Sequence, residues 1–285
     1  MKNSYSIIIP AYNEGGAIGT ILETLLELPH QEQLEIVVVN DGSSDNTAAV
    51  VSKYPVTLLQ NVSNFGYGHS LKVGITHAKH QHIVILDADG SYPVDAIPQL
   101  ISFFEKGFDM VVGARQGAHY HGSLIKRIAR IFFRALSEFS AGRRIPDINS
   151  GLRVFRKDVA IRFFHTLSSG FSFTTTITLA FMLNAYSVAY VPVAYHKRKG
   201  HSKVHYVRDT LRSTQIIVES IATYNPLKLF LLIATNLFGL GVLMSIVAIW
   251  YPWSALLLFL AAATTAITFS FGLIAVFFKN RTDRN

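Results

Sequence analysis

The first 115 residues alternate short apolar runs with stretches in which apolar residues recur at helical spacing. Short runs rich in Ile, Val and Leu are typical of buried parallel strands. They occur at residues 6–9, 34–39, 56–59, 82–86 and 109–112. Helical spacing occurs at residues 16–28, 45–51 and 70–78, the second of these capped by Asp45. Strands separated by helices imply right-handed βαβ units, so the pattern predicts an α/β domain with a mostly parallel sheet.

The carboxyl-terminal part has a different pattern, because it contains two long stretches almost without charge. Lys228 is the only charged residue between positions 227 and 249, and residues 253–278 contain none. Each stretch exceeds the roughly 20 residues that a helix needs to cross a bilayer. Aromatic residues between them suit the headgroup level, and Lys279, Arg281 and Arg284 follow the second stretch. The sequence therefore predicts a transmembrane hairpin with both outer ends cytoplasmic, and disfavours the alternative of a buried soluble hairpin.

A basic amphipathic pattern lies between these two regions, at residues 119–140. Its apolar residues recur at helical spacing and its cations occupy the other faces. The apolar set is Ile125, Ile128, Ile131, Phe132, Leu136 and Phe139, and the cationic set is Lys126, Arg127, Arg130 and Arg134. Such helices often lie in the membrane interface, and the alternative is an ordinary helix packed on the sheet. Residues 206–226, which precede the first long apolar stretch, form a second candidate.

Charge narrows the classes of partner. The formal net charge is +8 although only 15% of the residues are charged, so basic groups are concentrated in a few segments. Nucleic acid and an anionic membrane surface with a phosphorylated substrate both suit such clusters, and the hydrophobic tail favours the membrane over nucleic acid. The sequence contains no cysteine, which excludes disulfides and thiol chemistry. No secretory signal precedes the first strand, so we expect the amino-terminal domain in the cytoplasm.

Candidate chemistry begins with Asp87 and Asp89, which follow the apolar run at residues 83–86. In open α/β sheets, ligands bind just beyond the carboxyl ends of the strands. Two carboxylates on such an edge are costly without a cation or a hydrogen-bonding ligand. They suit Mg²⁺ or Mn²⁺ bound together with substrate phosphates. The alternative is a turn that ends the strand, since aspartate and glycine are common turn residues.

Other polar residues follow neighbouring strands and should collect at the same edge. Asp41 can accept hydrogen bonds from a base or a ribose, or it could belong to a helix-capping turn. Tyr12 and Glu14 could stack on a base and hydrogen-bond to it, or they could be solvated loop residues. Gly66 and Gly68 allow close approach of the backbone to a ligand, although glycines in turns often serve only the turn.

Six segments together resemble the family 2 glycosyltransferases of the GT-A fold, and more closely their polyprenyl-phosphate glycosyltransferase subgroup. Residues 9–14 and 39–45 resemble nucleotide-binding motifs, 64–68 a glycine-rich turn, 87–89 the metal motif, 147–153 the active-site segment and 198–203 a basic loop. The resemblance implies a cytoplasmic, Rossmann-like GT-A domain with flanking helices over residues 1–205. A membrane-proximal amphipathic helix at 206–226, a transmembrane hairpin at 227–279 and a cytoplasmic tail at 280–285 complete the expected organisation.

The resemblance implies an inverting transfer of one sugar from a nucleotide diphosphate sugar to a polyprenyl monophosphate, either undecaprenyl or dolichyl phosphate. It implies a membrane enzyme that uses Mg²⁺ or Mn²⁺, and it allows a homo-oligomer, either a dimer or a tetramer. The residues it assigns to the donor nucleotide are Pro10, Ala11, Tyr12, Glu14, Asp41, Gly68, Asp87 and Ala88. It assigns the metal to Asp87, Asp89 and Ser91, and catalysis to Asp89, Asp147, Arg198 and Lys203. It assigns phosphate, sugar or acceptor binding to Arg115, Asn149, Ser150, Arg153 and Ser202.

Two comparisons with the family pattern refine this expectation. Many relatives have glutamine two residues after the second aspartate of the metal motif, whereas this sequence has Ser91, whose hydroxyl has a shorter reach to the ion or its water. The Gln-x-x-Arg-Trp motif of processive polysaccharide synthases is absent, which favours transfer of a single sugar.

The acceptor phosphate is itself the nucleophile in this interpretation. Its second pKa is about 6, so it is largely dianionic at neutral pH and needs no strong general base. Asp147 could orient the acceptor, contact the sugar, act as a weak base, or only form a turn. Arg115 could contact a phosphate or a sugar, or be a surface arginine. The cations at 197–203 could separate the two phosphate-bearing substrates, or could only touch anionic headgroups.

The sequence leaves two other functional classes open. A non-catalytic nucleotide-sugar-binding protein or flippase accessory subunit could keep the fold, although both aspartates of the metal motif are present. A sugar nucleotidyltransferase also uses a Rossmann-like sheet but would not need two membrane spans. The short polar groups of the base pocket fit either uracil or guanine, so the sequence leaves the donor base and the sugar open.

Overall fold

The computed structural model describes residues 3–29, 31–117, 124–197, 214–219, 221–222, 225–247 and 254–282. For residues 124–130 and 132 it describes the backbone only, so the faces expected for most of the basic amphipathic pattern lie outside the described side chains. The chain divides into two compact units, residues 1–214 and 215–285.

The first unit is built on a mixed sheet that is mostly parallel. In the described part its strands are β1 (Tyr5–Ala11), β2 (Leu34–Asn40), β3 (Thr57–Gln60), β4 (His82–Ile85), β5 (Met110–Gln116), β6 (Arg153–Arg156) and β7 (Val188–Ala194). Their spatial order is β3-β2-β1-β4-β6-β5-β7. Strand β6 runs antiparallel to both of its neighbours, and the other pairs are parallel. The predicted α/β class and the mostly parallel sheet are confirmed.

Helices cover both faces of this sheet. They are α1 (Ile18–Leu26), α2 (Thr47–Val51), α3 (Tyr67–His77), α4 (Ile97–Phe104), α5 (Leu124–Ala141), α6 (Lys157–Arg162) and α7 (Phe173–Leu183), with short 3₁₀ turns at Gln31–Gln33 and Val94–Ala96. Successive side chains of a strand point to opposite faces. Ile7 and Ile9 of β1 therefore pack with α1 and α4, whereas Ile8 packs with α3 and α7. Burial on both faces explains why these strands read as continuous apolar runs.

The boundaries of two predicted helices move because of side-chain contacts. Helix α2 begins at Thr47 with Asn46 as its N-cap residue, and Asp45 accepts a hydrogen bond from the Thr47 amide at 2.9 Å. The prediction that Asp45 itself is the cap residue was wrong by one position, although its carboxylate does meet the end of the helix. Helix α3 begins at Tyr67 rather than Ser70, and Asp41 from another loop accepts hydrogen bonds from the Phe65 and Gly66 amides just before it.

Helix α5 confirms that the basic amphipathic pattern is helical. Its carboxyl-terminal half packs in the domain, where Phe133 and Ser137 are buried, whereas Ile131 is exposed. Helix α5 contacts α7. The interfacial role expected for this helix stays a prediction.

The second unit contains α8 (Pro226–Val247) and α9 (Ser254–Thr282). By length and composition, Pro226–Met244 and Leu256–Ala275 can each cross a membrane. The helices pack through small residues: a Cβ added to Gly241 would lie 2.0 Å from the Ala261 Cβ, and one added to Gly272 would lie 2.7 Å from the Phe230 Cβ. Small residues at such contacts let membrane helices approach closely. Residues 214–219 and 221–222, in the predicted membrane-proximal stretch, are also helical.

Candidate active site

Two sequence motifs meet at the carboxyl ends of β1 and β2. Asn13 has a left-handed backbone, with φ of 52°, and its Oδ1 accepts a hydrogen bond from the Ser44 amide at 2.8 Å. The Asn13 amide donates to the Ser43 hydroxyl at 2.9 Å, and the Glu14 amide donates to the Thr47 hydroxyl at 2.9 Å. Hydrogen bonds therefore join the two segments predicted to bind the donor nucleotide at one edge of the sheet. Pro10 and Ala11 end β1 at this edge, and Tyr12 and Glu14 are half-buried beside it.

Asp41 is buried at this edge and holds the turn that leads into helix α3. Its carboxylate accepts hydrogen bonds from the Gly66 amide at 2.8 Å, the Phe65 amide at 3.1 Å and the Asn61 side chain at 2.7 Å. A negative group at the first amides of a helix is stabilised by the helix dipole. Asp41 thus fixes the turn before α3, and its contact with a base or ribose stays a prediction.

The glycine-rich turn packs against the chain's own backbone. A Cβ on Gly68 would lie 2.3 Å from the carbonyl oxygen of Ser168 and 2.8 Å from the carbonyl carbon of Ser169. The His69 amide donates to the Ser169 oxygen at 2.8 Å. This turn therefore approaches residues 168–170 closely, and the close approach to a ligand expected for it stays a prediction.

The predicted metal motif lies beyond the end of β4. Asp87 accepts a hydrogen bond from the Tyr67 hydroxyl at 2.8 Å, and Asp89, which is buried, accepts one from the Ser91 amide at 2.9 Å. The buried Ser91 hydroxyl has no hydrogen-bond partner among the described residues. Ala88 is buried between the two aspartates. Burial and the Asp87 carboxylate hold the pKa of the Tyr67 phenol well above its ordinary value, so this phenol stays protonated as a donor.

These residues fit a hard divalent cation. Within the described ranges no cluster of three or more His, Cys, Asp or Glu side chains could hold a metal ion. Mg²⁺ and Mn²⁺ sites of nucleotide enzymes need fewer, because one or two carboxylates act together with water and substrate phosphates. Asp87 and Asp89 supply such carboxylates, and the unpartnered Ser91 hydroxyl is a further oxygen in the same loop.

Arg115 and Asp147, both predicted site residues, form a close ion pair. The Arg115 Nε lies 2.7 Å from the Asp147 Oδ2 and its Nη2 lies 2.8 Å from Oδ1. The Arg115 and Asn149 amides also donate to this carboxylate, each at 3.2 Å. The guanidinium lies 5.3 Å from the centre of the Tyr195 ring. A buried carboxylate that receives these hydrogen bonds is held in one orientation, and the catalytic role of Asp147 stays a prediction.

The structure places Arg153 inside the domain. Its side chain is completely buried, and the contact with a phosphate, a sugar or an acceptor expected for it stays a prediction. The guanidinium donates to the Ser150 carbonyl at 2.5 Å, the Thr174 carbonyl at 3.1 Å and the Thr178 hydroxyl at 2.9 Å. Burial lowers the pKa of this guanidinium from its usual value. Arg153 therefore joins the active-site segment to α7 from inside the domain.

The other residues of this segment divide between inside and outside. Ser150 is completely buried and donates to the Gly113 carbonyl at 2.5 Å, and its expected substrate contact stays a prediction. Asn149 is exposed, and its Oδ1 accepts a hydrogen bond from the Thr175 hydroxyl at 2.7 Å. Tyr92, which the sequence did not single out, accepts a hydrogen bond from the Gly151 amide at 2.8 Å. Burial raises the pKa of Tyr92.

The basic segment begins beside the metal motif. The His196 amide donates to the Ser91 carbonyl at 2.9 Å, and the Tyr195 ring lies 5.3 Å from the ring of Tyr92. Lys197 follows and is exposed. Arg198, Ser202 and Lys203, to which the sequence assigns catalysis and acceptor binding, lie outside the described residues.

A Rossmann-like sheet with paired aspartates beyond a central strand is typical of GT-A glycosyltransferases. Residues 6–164, more than half of the chain, match the Glycosyl transferase family 2 profile, and the chain belongs to this family. The family resemblance inferred from the sequence motifs is confirmed.

Curated relatives are similar over the catalytic unit. A Haloferax volcanii protein named dolichyl-phosphate hexose transferase is 28% identical over 201 residues, which cover 70% of this chain and 86% of the relative. The Proteus mirabilis undecaprenyl-phosphate 4-deoxy-4-formamido-L-arabinose transferase is 29% identical over 166 residues, covering 55% of this chain and 50% of the relative. The chain thus spans about half the length of the second relative.

Solved structures share the fold. Glucosyl-3-phosphoglycerate synthase from Mycobacterium tuberculosis, crystallised with Mn²⁺, uridine diphosphate and glucosyl-3-phosphoglycerate, matches with a TM-score of 0.62 and 16% identity. The match covers 77% of this chain and 80% of that one. The same enzyme crystallised with Mg²⁺ and uridine diphosphate gives a TM-score of 0.63 with 15% identity, over 77% and 79% of the two chains. At this level of identity the likeness establishes the GT-A fold alone.

Proposed function

We propose that this glycosyltransferase moves one sugar from a UDP- or GDP-linked donor to a polyprenyl monophosphate, giving a polyprenyl-phosphate sugar. The observation that carries the proposal is the single edge of the sheet on which the Asn13 and Asp41 loops, Asp87, Asp89 and the Arg115–Asp147 pair collect. Relatives named as dolichyl-phosphate and undecaprenyl-phosphate transferases support the acceptor class. Two helices long and apolar enough to cross a membrane support a lipid-linked acceptor.

The donor half of the mechanism uses the two nucleotide loops and the aspartates. Tyr12 and Glu14 would hold the base, and Asp87 and Asp89 would hold a divalent cation on the pyrophosphate. When bound, this cation neutralises the charge that develops on the leaving nucleoside diphosphate. The Tyr67 and Ser91 hydrogen bonds fix the directions of the two carboxylates before the donor arrives.

The acceptor half of the mechanism needs cations more than it needs a base. A polyprenyl monophosphate is largely dianionic at neutral pH, because its second pKa is about 6, and it can attack the sugar directly. Arg115, held by Asp147, can contact the sugar or a phosphate at the sheet edge. Repulsion between a dianion and a pyrophosphate requires further positive charge, and the basic segment that begins at Lys197 supplies it.

Alanine at Arg198 or Lys203 should cut transfer strongly and leave membrane insertion intact. Arginine provides a bidentate fork for phosphate oxygens and lysine a mobile charge, so Arg198→Lys should rescue only part of the loss. Initial rates at saturating donor and acceptor, with membrane extraction as the control, measure both effects. Equal rates for the wild type and the double alanine variant would reduce this segment to a patch that touches headgroups.

Residues 1 to about 225 and the carboxyl terminus are proposed to lie in the cytoplasm, with only the turn at Tyr251–Ser254 on the far side. Lys228 near one end of the hairpin and Lys279, Arg281 and Arg284 at the other favour this topology through the positive-inside rule. Reporters that are active only in the cytoplasm should give signal when fused after residue 285 and none when inserted at the turn. The reverse result would contradict the topology.

The direct test of the activity is incubation of purified full-length protein with polyprenyl phosphate and a panel of labelled nucleotide sugars. Label should enter the lipid phase with one donor of the panel and should require the acceptor. A non-catalytic nucleotide-sugar-binding protein would retain the donor without moving label into lipid. That result with every donor would refute the proposal.

A further inference from the structure

The Asp87 carboxylate has little free space beside the Tyr67 hydroxyl and the backbone of Gly151. On one side the Tyr67 hydroxyl donates to its Oδ1 at 2.8 Å. On the other side lies the backbone of Gly151, where an added Cβ would be 2.1 Å from the Asp87 Oδ2 and 2.4 Å from its Cγ. Only glycine fits at position 151 while Asp87 keeps this orientation, so both contacts limit rotation of the carboxylate.

Tyr67 is itself held firmly. It is the first residue of α3, whose first turn is joined to residues 168–170 through Gly68 and the hydrogen bond from the His69 amide to the Ser169 oxygen. Asp41 accepts hydrogen bonds from the two amides that precede Tyr67. The Tyr67 ring lies 5.7 Å from the ring of Phe171. The phenol is therefore directed at Asp87 by a rigid support.

We propose that Tyr67 is a positioning residue that, together with the space left by Gly151, fixes the Asp87 carboxylate for a divalent cation carrying a nucleoside diphosphate. The inference rests on the proposed function and adds a residue beyond the Asp-x-Asp motif. A carboxylate ligand whose second partner is a hydrogen-bond donor is ordered before the cation arrives, and loss of such partners typically weakens metal binding by about 10–100-fold. Tyr67 does this without touching the cation or the reacting atoms.

The experiment measures Mn²⁺ binding to full-length protein in detergent, by electron paramagnetic resonance, with UDP and GDP in separate runs. Tyr67→Phe removes only the hydroxyl and should raise the Mn²⁺ Kd about tenfold with the nucleotide that the wild type prefers. Tyr54→Phe is the matched control, because the Tyr54 hydroxyl donates to the Glu23 carboxylate at the same 2.8 Å, but at an exposed position. Its Kd should equal that of the wild type.

Gly151→Ala tests the second contact, the one between the backbone at position 151 and the Asp87 carboxylate. The added methyl group collides with the flexible Asp87 side chain, so the domain should fold while the carboxylate moves and the Mn²⁺ Kd rises. Unfolding without metal, followed by circular dichroism, shows whether each variant is folded.

For Tyr67→Phe, the Mn²⁺ concentration that gives half-maximal transfer should rise, while the KM for polyprenyl phosphate stays unchanged.

The outcomes separate this inference from the proposed function. If the wild-type protein binds Mn²⁺ and the Tyr67→Phe and Gly151→Ala variants bind it with the same Kd, this inference is overturned and the proposed function is not. A lower unfolding temperature for Tyr67→Phe with an unchanged Kd would also overturn it, since the hydroxyl would then serve only the fold. A wild-type protein that binds no Mn²⁺ with either nucleotide would overturn the metal role in the proposed function, and this inference with it.

Discussion

Asp89→Asn should reduce sugar transfer by about a hundredfold or more while the protein stays folded, because charge stabilisation by a cation is worth several kcal/mol. The Asp89 Oδ1 accepts a hydrogen bond from the Ser91 amide at 2.9 Å, and the asparagine oxygen can accept the same bond. The substitution thus keeps the shape of the loop and removes the negative charge. Excess EDTA should abolish wild-type transfer, and added Mg²⁺ or Mn²⁺ should restore it.

Asp95→Asn is the matched control for this change. Asp95 is an exposed carboxylate in the 3₁₀ turn that follows the same loop, so its neutralisation should leave the rate and the metal requirement unchanged. Radiolabel transfer at saturating donor, with far-ultraviolet circular dichroism as a check on folding, measures both variants. Full wild-type activity in excess EDTA would contradict the metal role of Asp87 and Asp89.

Arg153→Met should lower the stability of the catalytic unit by about 3 kcal/mol, because carbonyl oxygens inside the domain lose a charged donor. Methionine has a similar length and no donor, so the Ser150 and Ile148 carbonyls that now receive the guanidinium would be left without it. The alternative is that relief from burying a charge cancels this loss, as it does when both partners of a buried pair are replaced. Here only one partner is removed, so the loss should dominate.

Arg156→Met is the control, since Arg156 lies on the same strand but its side chain is 44% exposed and pairs with Asp109 and Asp158 at the surface. Surface pairs contribute about 0–1 kcal/mol, so its effect should be small. Thermal unfolding of full-length protein in detergent compares the two variants, and about 3 kcal/mol corresponds to a fall of roughly 6–12 °C for a domain of this size. Equal midpoints for the two variants would contradict the role of Arg153 in joining the active-site segment to α7.

The sheet edge could be predicted because its strands are buried on both faces. Runs such as residues 34–39 and 82–86 then have a continuous apolar signal, and the polar residues after them must share one edge. Strands β6 and β7 gave no such signal. Strand β6 has arginine at both ends, and β7 contains Pro192 between apolar residues. The antiparallel insertion of β6 between β4 and β5 depends on pairing across the chain, which local pattern does not encode.

The side-chain partners within the site could not be predicted for a related reason. The order of strands and polar residues indicated that Asp41 and Asp87 share an edge, but not that Asp41 holds the turn before α3 or that Asp147 faces Arg115. Arg153 shows the limit most clearly, since an arginine in an active-site motif suggests a ligand contact, whereas its neighbours in space enclose it. Tyr67 lay inside a recognised motif, yet only the structure reveals its hydrogen bond to Asp87.

The proposed activity is transfer of a sugar from a nucleotide diphosphate donor to a lipid phosphate. Measuring how much nucleotide is released for each sugar transferred is its most direct test. Full-length protein is incubated with labelled donor, Mg²⁺ and polyprenyl phosphate, and the released nucleotide and the lipid-phase label are quantified together. Nucleoside diphosphate should be released in an amount equal to the sugar found in lipid, and none should be released without acceptor. Release of nucleoside monophosphate or pyrophosphate, or no acceptor-dependent release with any donor, would contradict it.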